Sequence, residues 1–281
     1  MLPHNEIGTD PGAIRAYAQG IEELGVDHLL VYDHVLGVDR GRPGGFEGPY
    51  DKDVAFHEPF VFFGFLAAAT TTVDLVTAVV ILPQRQAVLV AKQAAELAVL
   101  SGNRFKLGVG VGWNEVEYEG LNEDFRTRGR RQEEQVDVMR RLWSDDVVHF
   151  DGEFHSFAHA GINPRPSQPI PVLFGGGAPA LVDRCARVGD GFIPLGSPGS
   201  KSAAQLAGIA RIRAEHGKSM DDFEVYAQAQ YANGSPERWK SHHDAWRDLG
   251  ATHLAIATHN AGPTDVDGHL ARIEEYQRSL A

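Results

Sequence analysis

The stretch DLVTAVVILPQRQAVLVAKQAAELAVLSGNRFKLGVGV, residues 74–111, contains the pattern that decides the fold. Residues 74–82 form an apolar run rich in β-branched side chains, which is typical of a parallel strand covered on both faces. Residues 86–100 show helical periodicity, and residues 105–111 form a second apolar strand. The helix residues expected to face inward are Val90, Ala94, Leu97 and Val99. Strand, helix and strand together predict one βαβ unit of a parallel sheet.

The same alternation of helix and short apolar strand continues along the rest of the chain. Further strands are predicted to begin at residues 28, 171, 191, 223 and 253. Further helices are predicted at residues 10–24, 58–70, 128–143, 178–188, 203–216, 236–249 and 264–279. An eighth strand would have to precede Asp10, where only Met1–His4 remain. A hairpin is predicted at 147–155, with Asp151-Gly152 as its type I′ turn.

Strict alternation predicts an α/β fold, and eight strand–helix units predict a (β/α)8 TIM barrel. We expect a single domain of residues 1–281, with a truncated first strand and a long loop after the second. A doubly wound sheet is the alternative. It is disfavoured because no Gly-x-Gly-x-x-Gly follows the first strand.

The composition limits the class of protein. The chain has 281 residues, a formal net charge of −12 and one cysteine, Cys185, so it is globular and forms no intramolecular disulfide. Its most apolar stretch, residues 60–69, is shorter than the ~20 residues of a membrane helix, and the N-terminus has no signal-like core. We therefore predict a cytoplasmic protein without a membrane partner. The 38 acidic residues against 26 basic ones argue against a nucleic-acid partner.

In a (β/α)8 barrel the active site lies at the C-terminal ends of the strands. Asp33 and His34 follow one such strand. His34 is a candidate acid or base near neutral pH, and Asp33 is a candidate for bonding a cofactor hydroxyl or ring, although it could instead cap the following loop. His4 and His259 are weaker candidates at the same rim. No histidine and carboxylate spacing typical of a metal site occurs, so we predict no metal.

Two glycine-rich segments lie at the predicted rim. Gly108, Gly110 and Gly112 alternate along a strand and its exit, where missing side chains would let a ring or phosphate approach the backbone. Residues 175–177, all glycine, precede a helix whose N-terminus would suit an anion. Each segment could also simply relieve crowding or reverse the chain. Two such segments at one rim favour a phosphorylated cofactor.

Three other segments carry hypotheses. Residues 36–57 form a long loop rich in glycine and proline, which looks like a lid with Phe46, Tyr50 and Phe56 walling a pocket. The arginine-rich run at 126–131 could hold an anionic tail, or could be a solvated helix start balanced by Glu133 and Glu134. The apolar segment 60–63 suggests a homodimer face, with burial inside the protein's own shell as the alternative.

The sequence resembles the luciferase-like flavin and deazaflavin oxidoreductases in four segments. YDHV at 32–35 is similar to the family's segment after the second strand, and SGNRFKLGVGVGWNEVEYEGLN at 101–122 is similar to its most specific signature. RGRRQEEQVDVMRRLW at 128–143 resembles the helix that follows. Residues 163–192, from NPRPSQPIPVLFGGG to ARVGDGF, resemble the entry to the fifth strand and its exit.

The resemblance implies a barrel that binds FMN or the deazaflavin coenzyme F420 and a small-molecule substrate. By analogy His34 would lie beside the reacting ring carbon, and Ala78-Val79 would form a non-prolyl cis peptide behind the ring. The resemblance also implies a set of cofactor-binding residues, namely Asp33, Ala78, Val79, Gly110, Asn114, Gly175, Gly176 and Gly177. The pattern is most similar to the deazaflavin-dependent subgroup.

This chain also departs from the family pattern. Val111 stands where some deazaflavin members have a glutamate acid, so their sugar-phosphate substrate is not carried over to this chain. The favoured function is hydride transfer between F420 and an unknown organic substrate. An FMN-dependent monooxygenase and a non-catalytic flavin-binding barrel are the alternatives. The negative net charge raises a further question, which is how an acidic protein would hold an anionic cofactor.

Overall fold

Parallel strands form the wall of a barrel in the computed structural model, which describes residues 1–262 and 265–280. The strands are β1 (His28–Val31), β2 (Asp74–Thr77), β3 (Val80–Ile81), β4 (Phe105–Gly110), β5 (Val148–Asp151), β6 (Ser156–Ala160), β7 (Val172–Gly176), β8 (Gly191–Pro194), β9 (Glu224–Gln230) and β10 (His253–Ala257). The helices are α1 (His4–Ile7), α2 (Pro11–Glu23), α3 (Pro59–Ala69), α4 (Ala87–Leu100), α5 (Glu115–Gly120), α6 (Arg128–Ser144), α7 (Pro179–Val188), α8 (Ser200–Glu215), α9 (Pro236–Asp248) and α10 (Val266–Leu280).

The strand order is β1-β2-β4-β7-β8-β9-β10, with every pairing parallel and β3 added beside β4. The gap between β10 and β1 is bridged by the first residues of the chain. The amino group of Met1 donates to Ile256 O at 3.0 Å, and Leu2 N donates to Leu30 O at 2.9 Å. The barrel is therefore nearly closed, and two residues stand where the predicted truncated strand belongs.

The predicted strand 74–82 is interrupted. Its middle contains a cis peptide bond between Ala78 and Val79, as the family resemblance implied. The strand resumes only for Val80–Ile81, and residues 82–84 then form a 3₁₀ turn. An apolar run predicts one continuous strand here because its residues are buried throughout, and burial alone does not reveal a change of direction.

Helix boundaries agree with the prediction to within a few residues. Asp10 caps α2 by accepting from Ala13 N at 2.8 Å, and Gly25 ends that helix region with φ +71°. Of the four residues expected to face inward on α4, three are buried, namely Val90, Ala94 and Leu97. The fourth, Val99, is 44% exposed. The predicted start of the last helix, Thr264, lies outside the described residues.

Most of the apolar segment 60–63, on which the dimer hypothesis rests, is buried inside the protein. Phe60, Phe62 and Phe63 are buried against the barrel, and only Val61 of that segment is exposed. The alternative explanation, burial within the protein's own shell, therefore applies to the three phenylalanines. Homodimer formation stays a prediction. Within residues 1–262 and 265–280, no helix combines the length and apolar character needed to cross a bilayer.

The predicted hairpin is present, but its predicted two-residue turn is wrong. Asp151 pairs with Ser156, so the second strand begins at residue 156 and the loop spans four residues. The reason is Glu134, whose carboxylate accepts from the backbone N–H groups of residues 153, 154 and 155 at 2.7–2.9 Å. A carboxylate that collects three N–H groups holds the loop open, whereas a two-residue type I′ turn would pair those groups across the strands.

Candidate active site

A cavity of about 650 Å³ opens at the C-terminal ends of the strands. Its volume lies within the range of about 300–1,000 Å³ that is typical of small-molecule sites. The predicted site residues in its lining are Asp33, His34, Ala78, Val79, Gly110, Gly175, Gly176 and Gly177. A larger groove of about 940 Å³ lies between α4, α6 and the hairpin, and contains none of these residues.

His34 is held by a buried carboxylate. Its Nδ1 lies 3.1 Å from Oε1 of Glu117, a residue that is 1% exposed. Burial acts to raise the pKa of Glu117, but the hydrogen bonds from His34 and Gln84 outweigh it and the pKa is lowered. An ionised carboxylate can only accept, so His34 donates through Nδ1. The other ring nitrogen, Nε2, is thereby left to a ligand in the cavity.

Glu117 also fixes the start of the loop that follows His34. Its Oε1 accepts from Val35 N at 3.0 Å and Leu36 N at 3.4 Å, and its Oε2 accepts from Gln84 at 3.1 Å. One buried side chain thus joins β1, the 3₁₀ turn and α5. Glu117 was not among the predicted site residues, because the sequence does not distinguish it from the two other glutamates of the short acidic segment 115–119.

Asp33 is bonded to the protein at both carboxylate oxygens. Its Oδ2 accepts from Ile81 N at 3.0 Å, and its Oδ1 accepts from Arg85 at 2.8 Å. Burial raises the pKa of Asp33, and Arg85 opposes that shift. Arg85 in turn donates to Glu58 at 2.8 Å. Asp33 therefore braces the segment that follows the cis peptide, and its predicted contact with a cofactor stays a prediction.

The alternating glycines make room for that segment. A Cβ at Gly108 would overlap the carbonyl oxygen of Thr77, and one at Gly110 would overlap the Val79 side chain. At Gly112, where φ is +66°, it would meet Ile81 at 2.8 Å. These glycines relieve crowding inside the barrel. This was the alternative to the prediction that a cofactor ring or phosphate approaches the backbone there. Gly110 nevertheless lies at the cavity wall.

The glycine triplet lies in a different environment. A Cβ at Gly175 or Gly176 would meet Val79 at 2.5 Å or Leu181 at 2.7 Å, whereas one at Gly177 would make only ordinary contacts, the nearest with Lys201 Nζ at 3.5 Å. The triplet leads into α7, whose N-terminus directs unsatisfied N–H groups and a positive dipole end toward this part of the cavity. Ala178 and Ala180 at the start of α7 also line the cavity.

Three arginines line the same cavity, namely Arg126, Arg128 and Arg184. Among the described residues, none of them has a carboxylate oxygen within 4.0 Å. Nε of Arg128 and Nε of Arg184 are buried without a hydrogen-bond partner. Arg184 Nη1 lies about 3.1 Å from the position of a Cβ on Gly129, so α6 and α7 bring their arginines together. Arg128 Nη1 donates to Phe125 O at 2.7 Å, but no carboxylate neutralises these guanidinium groups, and beside a glycine loop such groups suit a phosphate-bearing group.

The arginine run therefore has two parts. Arg126 and Arg128 face the cavity, whereas Arg130 pairs with Glu153 and Arg131 pairs with Glu123. The predicted balance by Glu133 and Glu134 is not observed, because Glu133 pairs with Arg187 and Glu134 binds the hairpin loop. Among the described residues, this rim of an acidic protein carries three arginines without a carboxylate partner, so the positive charge is local.

Asn114 has a structural role. Its Oδ1 accepts from Val116 N at 3.2 Å and caps α5, and its side chain is outside the cavity lining. Its predicted cofactor contact stays a prediction. His4 also serves the fold, because its Nε2 accepts from Tyr32 N at 3.2 Å. Burial lowers the pKa of His4 to about 3, which suits a neutral acceptor.

Aromatic side chains cover the His34 end of the cavity. The ring of His34 lies 5.3 Å from Tyr50, 4.6 Å from Phe56 and 5.8 Å from Trp113, between centroids. Phe46 stacks on Trp113 at 6.0 Å. The loop 36–57 is braced by Arg40, which bonds Asp51 at 2.6 Å. The predicted lid therefore packs over His34 with all three predicted aromatic residues nearby.

Sequence analysis also missed Arg184 and Trp113 as lining residues. Arg184 follows Gly177 by seven residues, and that spacing returns a helical side chain to the face from which the helix began. Trp113 is next to Gly112 at a strand exit, which was visible in the sequence. Neither position could be chosen without knowing which face of α7 and of the loop meets the cavity.

The fold and the site define a (β/α)8 barrel with a cavity at the C-terminal ends of its strands, lined by His34, the glycine triplet and three arginines. The model of the luciferase-like monooxygenase family matches residues 2–279. The chain belongs to that family. The expectation drawn from the four sequence segments is thereby confirmed.

Several curated relatives are similar to this chain. An uncharacterised protein of Mycobacterium tuberculosis is 40% identical over 172 residues, 61% of this chain and 59% of that protein. An F420-dependent glucose-6-phosphate dehydrogenase of Amycolatopsis mediterranei is 34% identical over 189 residues, 65% of this chain and 53% of that enzyme. These matches span somewhat more than half the length of each relative.

Solved structures share the fold. The monooxygenase RslO1 from Streptomyces bottropensis superposes with a TM-score of 0.80 at 18% identity, covering 99% of this chain and 96% of that one. An F420-dependent secondary alcohol dehydrogenase superposes with a TM-score of 0.77 at 18% identity, covering 97% and 96%. At such identities the likeness concerns the barrel alone.

Proposed function

We propose that the protein is a deazaflavin-dependent oxidoreductase, which uses coenzyme F420 to transfer a hydride to or from an organic substrate. The observation that carries the proposal is one cavity with two chemically distinct parts. One part holds His34 oriented by Glu117, and the other holds unpaired arginines beside a glycine loop. The similarity to F420-dependent enzymes supports this choice of cofactor.

The residues that would hold the cofactor are inferred from those that line the cavity. Arg126, Arg128 and Arg184, with the amides of the glycine triplet and the N-terminus of α7, would bind its phosphate. Val79 and Gly110 would form the wall beside its ring. When bound, the deazaflavin supplies or accepts the hydride.

His34 would move the proton that accompanies the hydride. Because Glu117 accepts from Nδ1, the proton exchanged with the substrate is carried on Nε2. The carboxylate would stabilise the protonated ring and keep it from rotating. The aromatic side chains of Tyr50, Phe56 and Trp113 would exclude water around this nitrogen.

An FMN-dependent monooxygenase is the second candidate. It is favoured by the family's name and by the fact that the arginines and the glycine loop would also accept the phosphate of FMN. A non-catalytic flavin-binding barrel is the third candidate, and only the His34–Glu117 pair argues against it.

Titration of the purified protein with F420 and with FMN, followed by fluorescence, separates the candidates. We expect F420 to bind more tightly than FMN. Tight FMN binding without F420 binding would contradict the proposal and favour the monooxygenase. Turnover with either reduced cofactor would exclude a non-catalytic barrel. Light scattering on the same sample would test the proposed homodimer, and fractionation of cells would test the proposed cytoplasmic location.

A further inference from the structure

The His34 end of the cavity is apolar. Trp113 lies against His34 in its lining and is 45% exposed, and Val35 and Leu36, which directly follow His34, are 40% and 42% exposed. Large apolar side chains left in water around one opening are typical of a surface that a ligand covers. Burying them under an apolar ligand is favourable.

The charged groups beside His34 are already bonded within the protein. Glu117 accepts hydrogen bonds at both carboxylate oxygens, and both oxygens of Asp33 are bonded. Arg85 is bound between Asp33 and Glu58. A charged substrate at this end would lose its hydration and would have to compete for groups that the protein already bonds, which is unfavourable.

The cations that could bind a charged group belong to the other part of the cavity. Arg128 begins α6 and Arg184 lies on α7, beside the glycine triplet. Under the proposed function they are used by the cofactor's phosphate. A substrate phosphate would have to compete with the cofactor for them.

Few polar groups remain for the substrate. Besides Nε2 of His34, the uncharged polar side chains of the lining are Tyr32, whose hydroxyl already bonds Met1 Sδ at 2.6 Å, Tyr50 and Gln228. This set can satisfy one oxygen function. A sugar with several hydroxyl groups would leave some of them without partners against Trp113, which costs binding free energy.

We infer that the substrate is an uncharged, mainly apolar molecule with a single alcohol or carbonyl oxygen at the reacting carbon. This inference rests on the proposed function for the division of the cavity between cofactor and substrate. It names the class of compound for the same site, and it excludes a sugar phosphate.

Trp113 provides a direct readout of substrate binding. The other three tryptophans, Trp143, Trp239 and Trp246, are only 8%, 5% and 1% exposed. Acrylamide quenching of the protein's fluorescence therefore reports mainly on Trp113, and the variant Trp113→Phe identifies that contribution. The measurement needs no turnover.

The experiment uses the protein saturated with oxidised F420. The probes are cyclohexanol and 1-phenylethanol, each compared with its own phosphate ester, and glucose. We expect each alcohol to protect Trp113 from acrylamide at a concentration at least tenfold lower than its phosphate ester or glucose. Equal or better protection by the esters or glucose would overturn the inference, as would the absence of protection by either alcohol.

A pair of variants sharpens the test. Val35→Arg places a cation beside His34, and we expect it to weaken protection by the alcohols at least fivefold. Val88→Arg changes an equally exposed valine, 43% against 40%, on α4 and outside the lining of this cavity, and is expected to leave protection unchanged. Equal effects of the two variants would overturn the assignment of this surface to the substrate.

The two proposals fail in different ways. If F420 binds and the phosphate esters protect Trp113 best, the substrate class is wrong and the deazaflavin function stands. If F420 does not bind, the proposed function fails. Protection by the alcohols on the protein alone would then still support the apolar ligand class, and its absence there would overturn that class as well.

Discussion

At the face of the barrel where the strands begin, Lys106 donates to Glu224 at 2.7 Å and to the hydroxyl of Tyr226 at 2.9 Å, and lies 3.4 Å from Asp74. Burial opposes it, but these bonds raise the pKa of Lys106. At the opposite face, Arg126, Arg128 and Arg184 line the cavity without a carboxylate partner among the described residues. One face neutralises its charges within the protein, and the other leaves cations available.

The difference separates stability from function in a single barrel. Charges that satisfy each other at the N-terminal face hold the strands β2, β4 and β9 in place. Unpaired charges at the C-terminal face contribute little to folding and are available to a ligand. Substitutions at the first face should therefore change stability, and those at the second should change activity or cofactor binding.

The largest effect is expected at His34. His34→Ala should reduce turnover by about 10²–10⁴-fold, the usual contribution of a general acid or base, with F420 binding and thermal stability retained. His259→Ala, which changes another histidine at the rim, is the matched control and should leave turnover unchanged. Unchanged turnover in His34→Ala would remove His34 from the mechanism.

At the opposite face, Lys106→Met should lower the free energy of unfolding by about 3 kcal/mol, because it leaves Glu224 and Asp74 facing each other without a cation. Cofactor affinity should not change. Lys92→Met, in the exposed pair with Glu96, should cost less than about 1 kcal/mol. Urea denaturation measures both, and equal costs would contradict the assigned role of Lys106.

The same face should also be sensitive to acid. The ring of His28 is buried with neither nitrogen bonded, against Tyr226 and His253, and burial lowers its pKa to about 3. In the unfolded chain the pKa is about 6.5, so the unfolded state takes up the proton first as the pH falls. Stability is then lost between pH 6.5 and 3, by about 2 kcal/mol from pH 7 to pH 5.

Unfolding of His28→Leu at pH 7 and pH 5 tests this effect. The variant should lose about 2 kcal/mol less than the parent protein over that interval. His216→Leu removes an exposed histidine and should reproduce the parent's pH dependence. An identical pH dependence in the two variants would rule out His28 as the acid-sensitive group.

The smallest effect is expected at the cavity arginines. Arg184→Gln should weaken F420 binding about tenfold, or about 1.4 kcal/mol, because one of several phosphate contacts is lost. Arg187→Gln is the control on the same helix, since Arg187 is paired with Glu133 and Asp183. Fluorescence titration should find its affinity unchanged. If both variants bound F420 equally, Arg184 would not be a cofactor contact.

Much of the fold could be predicted because it depends on local periodicity. The strand and helix positions and the parallel barrel follow from apolar runs of strand length that alternate with helical patterns. The break in residues 74–82 could not be predicted from periodicity, because a buried segment stays apolar whether or not its backbone changes direction. Only the family resemblance implied the cis peptide there. The hairpin loop was wrong for a related reason, since Glu134 acts on it from another element.

The candidate site was predicted only in part. His34 and the glycine triplet could be chosen because a residue at the end of a barrel strand faces the rim whatever its neighbours are. Glu117 and Arg184 lie on helices, where the side that meets the cavity depends on how each helix packs.

The sequence by itself determined which elements form, where the rim lies and that the chain resembles a flavin and deazaflavin family. Only the tertiary structure decided between glycine segments that look alike. A Cβ at Gly108, Gly110 or Gly112 would overlap protein atoms from residues 77–81, whereas one at Gly177 would make only ordinary contacts, the nearest with Lys201. The physical reason is that a glycine in the sequence indicates only that its position needs space. What fills that space, a neighbouring strand or a ligand, depends on contacts between residues far apart in the chain.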